Sequence, residues 1–277
     1  MIEFKNVYKL RNKLSIEDLN LTIGEGKLVV LCGKNGKGKS SLLKLIAGII
    51  DADAGEILID NQSIMKYKKN HAIAYMPDNY PFSDKDAFTS IVEWMEYVQP
   101  FFKKEGSWNR LKALEGNGFG TREELSNGSK KISMYAIARS IESSLLILDE
   151  PTLGLDSKRK QLLLDDIQEY MLDGKNTVIV SSNNIEDFER ICDQVIYIQE
   201  GVVLFQSSPD EIVSRYKLWQ GAFEDLPTAG IINYWSGDFG TEALMDAQHA
   251  TVDNLETISL ERVLYYIERV HRHEKIS

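Results

Sequence analysis

Cysteine is scarce in this chain. Only Cys32 and Cys192 occur among 277 residues, far apart and with no ligand-type spacing. No cysteine-based metal site is expected, and the chain reads as one kept in a reducing, cytosolic compartment. Cys32, at the end of an apolar run, reads as a small buried filler. Long hydrophobic runs are also missing. The longest candidate, residues 42–50, falls short of the about 18 apolar residues a membrane helix needs, and it contains Lys44 and Gly48. The first six residues hold no apolar signal core. Any membrane role therefore requires a separate partner chain. A basic excess is lacking too: the net charge is −10, which argues against a general nucleic-acid binder. There is no internal repeat and no low-complexity segment. What remains, 43% apolar and 27% charged residues, is an ordinary globular mix, long enough for one large domain or a domain with an appendage.

The most informative segment is Gly33-Lys34-Asn35-Gly36-Lys37-Gly38-Lys39-Ser40. It fits the phosphate-loop pattern G-x-x-x-x-G-K-[ST]. An apolar run, residues 27–32, precedes it as a buried strand, and residues 41–47 follow with helical patterning. Glycines let a chain wrap a phosphate and point backbone N–H groups at it, and a helix N-terminus adds partial positive charge. Residues 33–41, including Ser41 at the helix start, are therefore candidate nucleotide contacts. Lys39 would reach the β- and γ-phosphates, and the Ser40 hydroxyl would hold Mg²⁺.

Residues 2–7, 18–23, 55–60 and 71–75 read as short strands, with Gly24 and Gly26 marking a turn. Residues 86–124 change character. Ile91, Val92, Met95 and Val98 recur at helical spacing; Trp94 and Trp108 either line a surface for a partner or pack a small core, and Trp94, which falls in the helical pattern, reads as core. Residues 145–148 form a continuous apolar run, as a strand buried on both faces should. A helix over 162–171, a strand over 177–180 and a hairpin around Gly201 follow. Residues 206–257 give little signal. Ser259 is a candidate N-cap for a closing helix with Glu261 near its start and an apolar stripe of Leu260, Val263, Leu264, Ile267 and Val270.

Further segments stand behind the phosphate loop. Leu145 to Glu150 looks like a Walker B strand, with Leu153-Gly154-Leu155-Asp156 after it as a D-loop. Leu125-Ser126-Asn127-Gly128-Ser129 resembles the signature LSGGQ, about twenty residues ahead of that strand. Together these resemble the ATP-binding subunit of an ABC transporter over roughly residues 1–210. The resemblance implies an α/β fold: a P-loop NTPase core with a mostly parallel sheet, an N-terminal antiparallel β subdomain, an α-helical subdomain over about 86–140, and a C-terminal extension. The ATPase domain would span 1–205 and the extension 206–277. ATP and Mg²⁺ are the implied ligands. Asp149 would hold Mg²⁺, and Glu150 would act as general base toward water. Ser126 and Gly128 would cap the γ-phosphate of ATP held by a second ATPase subunit, identical or not. The remaining implied partner is a transmembrane permease, with the chain peripheral on the cytoplasmic face of the membrane; no nucleic acid is expected.

Three positions depart more seriously than the signature from the family pattern. Asp78 stands where a Q-loop glutamine belongs; a carboxylate there can meet Mg²⁺ or water but adds negative charge beside the phosphates. Asn183 stands where a switch histidine belongs, and it can donate a hydrogen bond but carries no proton. Arg11 aligns with the aromatic that stacks on adenine, and a guanidinium can also stack, with Tyr8 as the alternative. Asn127 replaces a glycine and is expected to tolerate a left-handed backbone. These departures leave open a catalytically weak or binding-only member of an asymmetric pair. A soluble ABC ATPase acting on nucleic acid or ribosomes fits less well, given one motif set and an acidic balance. Residues 258–264 resemble the closing helix of ABC-2 type exporters of drugs, antibiotics or peptides.

Overall fold

Alternating apolar and polar residues at the N-terminus pair as strands. β1 (Ile2–Arg11) runs antiparallel to β2 (Leu14–Ile23), the chain continues through β3 (Leu28–Cys32) and α1 (Lys39–Ile46), and β4 (Ala54–Ile59) returns antiparallel to β1 with β5 (Gln62–Ser63) at the edge. An irregularity at Asn6, with φ 48°, switches the buried face of β1 from Ile2 and Phe4 to Val7. The computed structural model describes residues 1–11, 14–34, 36, 38–79, 88–115, 126–237 and 240–273. These fall into two compact units, 1–183 with 191–206, and 184–190 with 207–277.

In the first unit, α2 (Ile64–Tyr67) and β6 (Ala74–Met76) precede three helices, α3 (Phe88–Val98), α4 (Lys104–Glu115) and α5 (Asn127–Arg139). β7 (Leu145–Asp149), α6 (Ser157–Met171), β8 (Thr177–Ser181), β9 (Gln194–Gln199) and β10 (Val202–Ser207) follow. The second sheet runs β10-β9-β3-β8-β7-β6. Its inner pairs β9–β3, β3–β8, β8–β7 and β7–β6 are all parallel. Every residue of β3, β7 and β8 is buried, which is why these strands are continuous apolar runs. Glu200 and Gly201, at φ 50° and 82°, make the two-residue turn from β9 to β10. One core cluster joins Leu42, Leu43 and Ile46 of α1 to both sheets through Phe4, Ile57, Ile147 and Ile179.

Two expectations fail locally in this unit. Trp94 is not core: it is 51% exposed, while Phe88, Ile91 and Val92 are the buried residues of α3. The repeat in α3 places Trp94, Tyr97 and Val98 on one exposed face. Trp108 is instead half-buried and meets Phe88 edge to face, with ring centroids 6.4 Å apart. Helix α6 begins at Ser157, five residues before its apolar pattern does, because the Asp156 carboxylate caps it by accepting from the Arg159 N–H.

The second unit gives form to residues whose pattern is weak. Ser208 and Glu211 form a capping box on α7 (Pro209–Arg215), with Pro209 in its first turn. β11 (Tyr216–Gly221), β12 (Ile231–Gly237) and β13 (Gly240–Asp246) make an antiparallel sheet with β13 central. Trp219, Ala243 and Met245 are its core, packed by Leu226, Ile231 and Val252. In α8 (Leu260–His273) the Ser259 hydroxyl accepts from the Arg262 N–H, and Leu260, Val263, Leu264 and Ile267 are buried as expected; the side chain of Val270 lies outside the described residues. Glu261 lies against Glu186, which holds its carboxyl above the usual range.

Gly55 sets the crossing of β1 and β4. Its φ is +83°, and a Cβ there would lie 2.1 Å from the Asn6 carbonyl oxygen. Gly55→Ala should therefore cost roughly 3 kcal/mol in urea unfolding. Gly174→Ala, at φ +68° with open space around it, should cost only about 1 kcal/mol. Equal losses would show that the Asn6 contact does not constrain the sheet.

Candidate functional site

The parallel register brings four loop starts to one edge of the sheet. Leu31 pairs with Ser181, and Ser181 with Asp149. The chain leaves β3 at Gly33, β7 at Glu150, β8 at Ser182-Asn183 and β6 at Pro77-Asp78. Such carboxyl ends are where open α/β sheets bind ligands.

Gly33 is required at its position. Its φ is +141°, and a Cβ would lie 2.0 Å from the Ile198 carbonyl oxygen. Gly38, at φ 115°, precedes α1; no side chain caps the helix and its first turn holds no acid. That end therefore keeps its partial positive charge, with no side chain competing for its first-turn N–H groups. The Lys39 side chain is buried. Its ammonium donates to the Gly33 carbonyl and to Asn183 Oδ1 at 2.7 Å, and lies 3.9 Å from Glu150 Oε1. Gly36 is exposed, Lys34 and Ser41 are half-buried, and Asn35 and Lys37 lie outside the described residues.

Asp149 is buried and its Oδ1 accepts from two hydroxyls, Ser181 at 2.6 Å and Ser40 at 3.2 Å. Ser40 and Asp149 thus present adjacent oxygens. No cluster of three or more His, Cys, Asp or Glu suited to a metal occurs among the described residues. A hydroxyl and one carboxylate fit a magnesium ion, which keeps waters and shares substrate phosphates rather than needing a full protein cage. Nearby, the Tyr75 hydroxyl is buried, and burial together with the Asp149 charge opposes its ionisation.

Glu150 has φ +51°, a left-handed conformation that costs about 1 kcal/mol or more outside glycine. Neighbouring bonds hold it there. Its N–H reaches Ser181 Oγ at 2.9 Å, and its Oε2 accepts from the Asn183 N–H at 3.3 Å. Oε1 is buried and, among the described residues, has no hydrogen-bond donor. Burial raises the Glu150 pKa above the ordinary glutamate value, and the Lys39 charge opposes that rise. A strained, desolvated carboxylate beside a buried ammonium is an arrangement able to accept a proton from water.

Asp78 Oδ1 is 3.0 Å from Lys131 Nζ on α5. Ser126 is the exposed N-cap of α5; its Oγ accepts from the Ser129 N–H at 3.1 Å and meets Ser129 Oγ at 3.0 Å. Gly128 is buried near Gly154 and Leu155, and Arg159 donates to Ser129 Oγ at 3.1 Å. Asn127 opens α5 without a positive φ, so no left-handed tolerance is needed there. Leu125 and the Arg11 side chain lie outside the described residues; the Arg11 backbone pairs with Leu14. Tyr8, the alternative stacker, is exposed in β1.

Lys39, Ser40, Asp149, Glu150 and Asn183 thus converge. Ser126 bonds within its own helix start, and Gly128 packs near Gly154, Leu155 and Arg159. Ser181, Lys131 and Tyr75 escaped notice in the sequence. Ser181 had a usable signal, since it ends the strand that must lie beside Asp149. Lys131 had none beyond being a lysine on the buried side of a helix.

The ABC transporter family matches residues 16–153. The chain is 31% identical over 230 residues to the ABC transporter ATP-binding protein YtrB of Bacillus subtilis (strain 168), covering 81% of this chain and 77% of that one. It is 29% identical over 240 residues to the phosphonates import ATP-binding protein PhnC of Mesoplasma florum, covering 76% and 96%. The solved structure of the ATP-binding subunit of an ABC transporter matches with a TM-score of 0.65 at 25% identity, over 77% of this chain and 92% of that one.

Ser181→Ala removes one donor from buried Asp149 and one acceptor from the Glu150 N–H. A loss of roughly 2–3 kcal/mol is expected in denaturant unfolding. An unchanged midpoint would mean that Ser181 does not hold these two residues.

Proposed function

The chain belongs to the ABC transporter family of ATP-binding subunits and is an ATPase of that kind; on that premise we propose that it powers a separate membrane permease, and that Lys39, Ser40, Asp149, Glu150 and Asn183 form its half of each ATP site. The convergence of these five side chains at the ends of β3, β7 and β8 carries this reading. The N–H groups at the start of α1 and the Lys39 ammonium bind and orient the phosphates. Glu150 takes a proton from the attacking water, its carboxylate aimed by the Ser181 and Asn183 backbone bonds. Asn183 turns its carbonyl oxygen to Lys39, because an ammonium only donates, and this leaves its amide N–H groups for a γ-phosphate oxygen. Mg²⁺ held by Ser40 and Asp149 would neutralise phosphate charge.

Two such subunits sandwich two ATP molecules, each site completed by Ser126 and Gly128 of the other subunit, so nucleotide state couples to closure. Arg11 or Tyr8 lies against the base. In keeping with its family, the chain acts as a peripheral subunit on the cytoplasmic face, held there by its permease; no helix among the described residues is long and apolar enough to cross a membrane. The exposed stripe Trp94, Tyr97 (90% exposed) and Val98 on α3 is the surface that meets the permease. The export direction rests on the resemblance of residues 258–264 to ABC-2 exporters, since the relative PhnC is named for import.

ATP turnover by the purified chain should rise more than linearly with protein concentration and vanish in Glu150→Gln. Its acid limb should lie above the ordinary glutamate range, because the working form is the ionised one and burial raises the pH at which it appears. Tight ATP binding without turnover would instead support a binding-only member of an asymmetric pair. Trp94→Ala with Tyr97→Ala should lower recovery of the chain in membranes when it is co-expressed with its permease by about tenfold, a change of roughly 1.4 kcal/mol, while leaving the turnover of the isolated chain intact. Undiminished membrane recovery would remove α3 from the contact.

A further inference from the structure

Lys131 is a buried lysine in the second turn of α5. A buried ammonium needs a counter-charge, and among the described residues it finds one in Asp78, at 3.0 Å. Asp78 is only partly buried and follows β6, whose last residue Met76 pairs with Leu148, one position before Asp149. It therefore belongs to the electrostatics of the phosphate site, although it touches neither Ser40 nor Asp149 through any hydrogen bond described. The site then holds three carboxylates, Asp78, Asp149 and Glu150, against two ammonium groups, Lys39 and Lys131. A polyphosphate adds several negative charges to that balance. Without Lys131, Asp78 would oppose it uncompensated.

We propose that Lys131 is the residue that makes an aspartate at position 78 compatible with ATP. It is a positioning residue. It neutralises Asp78, draws that carboxylate toward α5 and away from the phosphates, and ties the loop after β6 to the helix that begins at Ser126. The sequence pattern makes Asp78 a source of unfavourable charge; the ion pair supplies the compensation, from a helix 53 residues further along the chain. The proposal rests on the ATP-site reading above.

The test is a double-mutant cycle on the full chain with Lys131→Met, Asp78→Asn and the two combined, reading KM for ATP, kcat and the melting temperature. Lys131→Met should raise KM for ATP by about fivefold or more, as expected for an uncompensated, partly buried charge. Adding Asp78→Asn to it should bring KM back to within about twofold of the unaltered chain. Lys131→Arg should keep KM near its starting value even if the Met variant folds poorly, because it retains the charge. A purely structural lysine would show the reverse: no rescue by Asp78→Asn, and losses that follow the melting temperature. Either an unchanged KM in Lys131→Met or an unrescued double variant would overturn the proposal. If the unaltered chain binds ATP without hydrolysing it, the same ordering is read from the Kd of a fluorescent ATP analogue, so a failure of the turnover reading stays distinct from a failure of this one.

Discussion

Burial of β3, β7 and β8 on both faces is the constraint on which the rest of the first unit depends. Each strand gives up every side chain to the interior, so the sheet has to be covered on both sides and its strands joined by crossovers. A parallel ladder built this way aligns strand ends. Leu31, Ser181 and Asp149 fall in one row, and everything chemical follows from that row. The phosphate loop leaves from one strand, Glu150 from the next but one, and Asn183 from the strand between. A one-residue slip of β8 would turn Ser181 away and leave both Asp149 and the Glu150 N–H without their shared partner.

The same burial decides the charge state of the site. Desolvation acts more strongly on Glu150 than the attraction of Lys39 does, so its pKa rises even with an ammonium 3.9 Å away. The backbone adds to this by holding Glu150 at a positive φ that only its neighbours' hydrogen bonds sustain. Strain and desolvation together concentrate on one carboxylate, while the adjacent Asp149 is fixed by two hydroxyls. Two neighbouring acids are thereby set up differently, one braced and one poised. The departures at 78 and 183 are absorbed by lysines: Asn183 accepts from Lys39, and Asp78 pairs with Lys131.

The helices over 88–139 show how a sequence pattern can mislead at one residue. An apolar repeat does not say which edge of its stripe faces inward. In α3 the stripe is wider than the contact beneath it, so Phe88, Ile91 and Val92 are buried and Trp94, Tyr97 and Val98 stay outside. The second unit shows the opposite case. Its strands are short and interrupted by glycines, so periodicity is faint, yet Trp219, Ala243 and Met245 find one another across β11 and β13.

The sequence by itself marked the segments proposed to carry the chemistry. Gly33 to Ser41, the apolar run ending in Asp149-Glu150, and Ser126 to Ser129 carry local signals, because glycine conformations, uninterrupted burial and helix caps are properties of contiguous residues. It also determined the closing helix, from Ser259 and the stripe that follows. Only the tertiary structure decided which distant groups meet. That Ser181 grips Asp149, that Lys131 answers Asp78, that Asn183 turns its oxygen to Lys39, and that Trp94 faces outward are consequences of strand order and helix docking. Ionic and hydrogen-bonded pairs between residues 30 to 150 positions apart leave no periodic trace in a single chain.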